Sequence, residues 1–228
     1  MKTIKSFPRK VRETPHTFIT LPDGTKLAAR MWIPVDADKH PVPAILEYLP
    51  YRKRDGTHVR DALTHPYLAG HGYACVRVDM RGNGDSDGLM LDEYTQQEMD
   101  DACDVIAWLV AQQWCTGKVG MMGISWGGFN ALQMAALRPP GFDAVITLCS
   151  TDDRYSSSWR CLLRPLSSVR SGLRAWSCLT LKRVAVFGPA VATFESGNGG
   201  PIFELLQTIF HPKLTHVLAR RFGANALL

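Results

Sequence analysis

Apolar positions along the first 153 residues fall into short runs, each closed by a turn-forming cluster. HTFITLPDGTKLAARMWIP (16–34) sets two runs of β-forming residues around Pro22-Asp23-Gly24, the pattern of a hairpin. VPAILEYLPY (42–51) and YACVRVDM (73–80) are continuous apolar runs suited to buried strands, and the second ends at the turn-rich RGNGDSDG (81–88). Between them, His65 and His71 flank an apolar helix-like stretch and read as satisfied surface or core residues rather than ligands. Thr95-Gln96-Gln97-Glu98 has the form of a capping box, in which Glu98 reaches back to the Thr95 amide. Ala102, Val105, Ile106 and Leu109 then fall on one stripe of a helix. KVGMMGIS (118–125) predicts another buried strand, GGFNALQMAAL (127–137) a helix, and FDAVITLCS (142–150) a last strand.

Strands alternating with helices imply right-handed crossovers and an α/β fold with a mostly parallel sheet, opened by the antiparallel hairpin. After Tyr155 the periodicity stops. VAVFGPAVATF (184–194) reads as one strand broken at Gly188-Pro189, and PIFELLQTIF (201–210) as a short helix. The chain therefore divides into 1–155, the ordered α/β part, and 156–228, a divergent basic tail expected to be poorly ordered or partly helical.

Charge follows the same division. Residues 1–153 carry 16 Lys and Arg against 19 Asp and Glu, net −3. Residues 154–228 carry 10 against 2, net +8, with no aspartate at all. An Arg-rich tail raises nucleic-acid binding, but interleaved aromatics and any recognisable module are missing, so no nucleic-acid partner is expected. The start, MKTIKSFPRKVRETP, has basic residues without an apolar run behind them, unlike a secretory signal. No run approaches the roughly 18 apolar residues of a membrane span. Six cysteines stand without a C-x-x-C pair, which speaks against a zinc site or a disulfide framework and for reduced thiols in a cytoplasmic protein. Neither a metal nor another cofactor is expected.

The chemistry concentrates in Gly123-Ile124-Ser125-Trp126-Gly127-Gly128. A serine hydroxyl is a weak nucleophile until it is lifted into the open and given a base. A G-x-S-x-G sequence between a strand and a helix does the lifting: a sharp turn strains the serine and projects its oxygen above the sheet edge. Glycines 123 and 127 fit because a Cβ would collide with the neighbouring strand or helix. The backbone N–H of Trp126 points into the same space and can donate to an oxyanion, aided by the positive end of the following helix.

LPYRKRD (49–55), DMRGNGDSDG (79–88) and DVIAWLVAQQWCTGKVGMMGISWGG (104–128), with the hairpin and STDDRY (150–155), resemble the N-terminal part of α/β-hydrolases of the CocE/NonD type. That is the family of cocaine esterases and X-prolyl dipeptidyl peptidases. The resemblance spans about two thirds of the chain and implies an incomplete α/β-hydrolase fold. It further implies a serine hydrolase acting on ester or amide carbonyls of small molecules or peptides through an acyl-enzyme at Ser125. The hydroxyl of Tyr51 would join the Trp126 N–H as oxyanion donor, and Leu49 stands where the family often has Asn. The loop 79–88 lacks the glycine spacing and the Lys-Ser/Thr of a phosphate loop; it reads as a structural loop fixed by Asp79 and Arg81.

In this fold the triad follows the order Ser, Asp/Glu, His. Between Arg154 and Leu228 the acids are Glu195 and Glu204 and the histidines His211 and His216. Glu204 with either histidine has the right order, but the separation is too short to reach from one strand end to the next loop. Asp152 and Asp153 match a structural element of the family. The chain is therefore expected to be weak or inactive as written, with 156–228 a divergent or frame-shifted continuation. The alternative is a non-catalytic hydrolase-like remnant or binding module.

Overall fold

The computed structural model describes residues 6–150, 183–187 and 191–195. The described strands are β1 (Val11–Thr20), β2 (Lys26–Pro34), β3 (Val42–Leu49), β4 (Ala74–Asp79), β5 (Cys115–Ile124), β6 (Phe142–Leu148), β7 (Arg183–Phe187) and β8 (Val191–Glu195). Three helices intervene: α1 (His58–Gly70), α2 (Gln96–Val110) and α3 (Trp126–Leu137), with a π-helical turn at Arg52–Gly56. The sheet order is β1-β2-β4-β3-β5-β6-β7-β8. Its four central strands are mutually parallel, as strands joined by crossover helices must be. The β1–β2 hairpin opens the sheet antiparallel, and β2 meets β4 antiparallel.

At the far edge β7 pairs antiparallel with both β6 and β8. The stretch expected as one interrupted strand is thus two strands of a hairpin, with Phe187 opposite Val191. Proline has no N–H to offer a ladder, so a single strand through Pro189 gives way to two shorter ones. The helix expected over 201–210 lies outside the described residues. Among the described residues, no helix is long and apolar enough to cross a membrane.

Both faces of the central strands are covered, which is why those strands read as unbroken apolar runs. On one face Leu68 and Ala69 of α1 pack on Trp32, Ile45 and Cys75. On the other, the stripe Ala102, Val105, Ile106 and Leu109 of α2 and Ala131 and Met134 of α3 close on Leu46, Val76, Val78 and Val119.

Helix α1 also docks through charge. Glu47 of β3 and Arg77 of β4 are neighbours in register and both buried. Arg60 donates to the two Glu47 oxygens at 2.7 and 2.6 Å and to Asp61 at 2.7 Å. Arg77 lies 3.4 Å from Asp61, whose carboxylate also accepts from the Thr57 hydroxyl at 2.7 Å. His65, fully buried, sits with Nδ1 3.2 Å from the Asp61 carbonyl and Nε2 3.3 Å from Glu47. His65 is a core histidine, as expected from sequence, and His71 rests its Nδ1 2.7 Å from the Tyr67 carbonyl. Burial opposes ionisation of Glu47, but the His65 hydrogen bond and the Arg60 and Arg77 charges outweigh it and hold its pKa below the ordinary value. Glu47, Asp61 and His65 bring ligand atoms within 4.8 Å of one another, a grouping that sequence spacing does not reveal. Two guanidinium groups already neutralise its carboxylates, so it is an ion network in kind.

Arg81 performs the fastening expected of it. It donates to both Asp101 oxygens at 2.8 Å, to Asp23 at 2.7 Å and to the Thr25 hydroxyl at 2.6 Å, tying the hairpin turn to α2. The Thr25 amide and then Arg81 hold the exposed Asp23 carboxyl down at about 2.

Two outcomes are expected. Arg77→Ala leaves buried carboxylates short of a cation and should cost about 3–5 kcal/mol in urea unfolding; a loss below about 1 kcal/mol would show that the network does not hold α1. A lowered carboxyl contributes stability above its ordinary value and loses it as pH falls through the folded value. Asp23→Asn should therefore flatten the acid limb of the stability profile from pH 3.8 to about 2, measured by unfolding at stepped pH.

Candidate active site

The chain passes from β5 into α3 at Ser125 with no residue to spare. Ser125 caps α3 with φ 54° and ψ −115°, a backbone state that L-residues rarely adopt. Its N–H donates to the Leu148 carbonyl at 2.8 Å, and its carbonyl accepts from Phe129 N–H at 3.0 Å. Such strain costs about 1–3 kcal/mol and persists only where the surroundings over-determine it. Those surroundings are close: a Cβ on Gly123 would fall inside the backbone of Gly127, and one on Gly127 would come 2.8 Å from the Leu49 side chain. A Cβ on Gly128 would meet the Thr147 hydroxyl at 2.8 Å and the Leu148 carbonyl at 2.9 Å. The glycines of GISWGG let strand, turn and helix touch.

Tyr51 reaches the same place from β3. The backbone N–H of Trp126 donates to the Tyr51 hydroxyl at 3.3 Å, 75 residues away in sequence. The turn carrying Tyr51 is pinned from beneath. Asp79, at the end of β4, accepts the Lys53 N–H at 2.7 Å. The wholly buried Lys53 ammonium lies 3.5 Å from Asp79 and pairs closely with Asp85. Arg77 donates to the carbonyls of Leu49 at 3.3 Å and Val78 at 2.6 Å. Gly56 closes the turn, since a Cβ there would stand 2.6 Å from the Tyr51 carbonyl.

The loop after β4 is structural, as its sequence suggested. Asp85 is held by Lys53 and by Arg54 at 2.6 Å. The Ser86 hydroxyl donates to the Asp79 carbonyl at 2.7 Å and accepts from Ala28 N–H at 2.8 Å.

Glu98 departs from the capping-box reading. Thr95 does cap α2, accepting from Glu98 N–H at 3.4 Å. The Glu98 carboxylate, however, accepts from Tyr94 N–H at 2.9 Å instead of the Thr95 amide, and from the Trp126 indole at 2.7 Å. Tyr94 has φ 56°, a left-handed state that ends the loop one residue before the cap. Burial is the main influence on Glu98 and raises its pKa above the ordinary glutamate value. The capping pattern marks Glu98 in sequence; nothing local marks its contact with Trp126.

Tyr51, at the turn after β3, and the Ser125–Trp126 junction of β5 and α3 are thus brought together at the C-terminal edge of the sheet. Among the described residues, no histidine or carboxylate is hydrogen-bonded to the Ser125 hydroxyl. Asp152, Asp153, Glu204, His211 and His216 lie outside the described residues.

A family model for X-Pro dipeptidyl-peptidases (S15 family) matches residues 23–173, more than half of the chain. The chain belongs to the X-Pro dipeptidyl-peptidase (S15) family. That match runs past residue 155, where the sequence reading placed the end of the likeness. The S15 chain is 32% identical to the cocaine esterase of Rhodococcus sp. over 148 residues, 63% of this chain and 25% of that protein. It spans about a quarter of the length of the curated relatives it matches. Among solved structures, it resembles an aminopeptidase from a Thaumarchaeota archaeon, with TM-score 0.52 and 24% identity over 68% of this chain and 28% of that one. A CocE/NonD family hydrolase from Staphylococcus aureus gives TM-score 0.50 and 22% identity over 58% of this chain and 26% of the other. At that identity the structural likeness speaks for the α/β-hydrolase fold alone.

Substitutions at the turn should rank by what each meets. Gly123→Ala meets rigid backbone and should destabilise more than Gly127→Ala, which meets a movable leucine end; overpacking of this kind costs about 1–3 kcal/mol. Ser125→Gly should be more stable than Ser125→Ala by about 1 kcal/mol, because glycine adopts the strained state freely. Equal stabilities in urea melts would contradict the strain.

Proposed function

We propose that this S15 chain carries the nucleophile and oxyanion side of a serine hydrolase acting on ester or amide carbonyls of small molecules or peptides. The observation that carries the reading is the pairing of Trp126 N–H with the Tyr51 hydroxyl at 3.3 Å beside a serine held at φ 54°. Here the Tyr51 hydroxyl accepts from the Trp126 N–H. A substrate oxygen placed between them, next to the strained serine, would take both as donors, as a tetrahedral intermediate demands. The Ser125 hydroxyl oxygen attacks the carbonyl carbon, and the hydroxyl proton goes to a base. The carbonyl oxygen takes the negative charge between Tyr51 and Trp126. Collapse breaks the bond to the alcohol or amine, which leaves with a proton, and water then hydrolyses the acyl-serine. The relationship to cocaine esterase favours esters as the first substrates to try.

Turnover by this polypeptide alone is expected to be low. Glu204 with His211 or His216 is too short a spacing for acid and base. Hydroxyl and oxyanion donors without an imidazole retain roughly 10³–10⁴-fold over water, and loss of a triad forfeits about 10⁶.

Hydrolysis of p-nitrophenyl esters by the chain and by Ser125→Ala tests the reading. The expected result is slow turnover that the variant abolishes; equal rates would leave the serine no role. Where turnover is measurable, Tyr51→Phe should lower it about 10²–10³-fold, the effect of losing one oxyanion donor. Rapid labelling of Ser125 by a fluorophosphonate would show a working base and overturn the expectation of low activity.

A further inference from the structure

The Trp126 N–H lies in the peptide plane whose orientation is set by ψ of Ser125, the residue with the strained positive φ. Rotation of that plane about ψ would swing the donor away from the Tyr51 hydroxyl. Something must resist it on the Trp126 side. The Trp126 indole is gripped at its N–H by Glu98 at 2.7 Å, and its ring lies against Tyr94 with centroids 5.1 Å apart and planes 32° apart. Tyr94 is itself fixed by the second oxygen of Glu98 at 2.9 Å and by edge contact with Phe129, 5.7 Å away at 74°. One buried carboxylate, on the first turn of α2, therefore bonds both the indole N–H and the backbone N–H of Tyr94, whose ring lies against that indole.

We infer that Glu98 is a positioning residue: it clamps Trp126 through the indole and Tyr94, and so keeps the Trp126 N–H and the Ser125 backbone in the geometry of an oxyanion site. The inference rests on the reading of Ser125 as nucleophile for its meaning, but not for its test. Glu98 touches neither the Ser125 hydroxyl nor the Tyr51 hydroxyl. It acts through the far end of a side chain whose backbone is the donor. Each carboxylate oxygen takes one of the two N–H groups; a glutamine in the same pose would turn a donor NH₂ toward one of them.

The test is amide hydrogen exchange by NMR on the ¹⁵N-labelled full chain, with Trp126→Phe identifying the indole resonance. In Glu98→Ala the Trp126 backbone amide should exchange at least tenfold faster, while core amides of Val78, Ile106 and Val119 keep their protection within about threefold. Glu98→Gln should keep the indole contact and lose the Tyr94 one, giving an intermediate effect. If Glu98→Ala fails to fold, Glu98→Gln and Trp126→Phe carry the comparison: Glu98→Gln should add nothing to the exchange rate of Trp126→Phe at that amide. An unchanged Trp126 backbone amide in Glu98→Gln and Glu98→Ala would overturn the clamp, as would an equal loss of protection across the core. Fluorophosphonate labelling of Ser125 is the separate arm. A labelled parent whose rate falls tenfold in Glu98→Gln supports both ideas. A parent whose Ser125 shows no reactivity counts against the nucleophile and leaves the exchange result to decide Glu98.

Discussion

The site depends on two backbones in contact: Gly123 at the end of β5 and Gly127 in the first turn of α3, with no room for a single methyl between them. That contact shortens the passage from strand to helix to one residue, and the one residue is Ser125. Its positive φ follows, and so does the direction of the next N–H. Strain at a functional position is tolerated when neighbours remove the alternatives. Here the Leu148 carbonyl, the Phe129 N–H and the capped start of α3 remove them.

Around that turn the molecule uses charge where an apolar core would allow sliding. The α2 and α3 face is apolar and fits by shape. The α1 face is built on Glu47, Arg60, Asp61, His65 and Arg77, and it continues through Asp79 and Lys53 to the turn that carries Tyr51. Buried ion pairs add little net stability compared with well-packed apolar groups, but breaking one is costly, so they favour one arrangement over near neighbours. For Tyr51 that matters. Its hydroxyl meets the Trp126 N–H at 3.3 Å, and the buried Lys53–Asp79 pair helps to set where its turn ends.

Membership of the S15 family fits this distribution of parts. The family match runs from the hairpin turn through β2, the loop after β4, the serine turn and the strand after it. Substrate choice is a matter of walls and lids around such an edge. The described residues hold the proposed nucleophile, its two proposed oxyanion partners and the clamp inferred at Glu98.

Much of this was legible in the chain. Continuous apolar runs announced the parallel strands because both their faces are covered. The 3.6-residue stripe of α2 and the Pro-Asp-Gly turn are local signals, and they placed the helix face and the hairpin. Gly-x-Ser-x-Gly declared a strained turn because only glycines allow so close an approach. The rest was not legible, because its partners are far apart in sequence. Glu98 looks like a capping residue, and only the packing of α2 against α3 brings it to the Trp126 indole. Glu47, Asp61 and His65 form no spacing motif, yet α1 lays two of them on the third. The halves of VAVFGPAVATF fold back on each other, a choice between neighbours that a strand-forming composition leaves open. Residues and periods alone determined the elements, the faces they bury and the serine's posture. Which side chains meet across those elements was decided by the tertiary structure, because an ion pair or an indole hydrogen bond depends on distance in space, and distance along the chain does not report it.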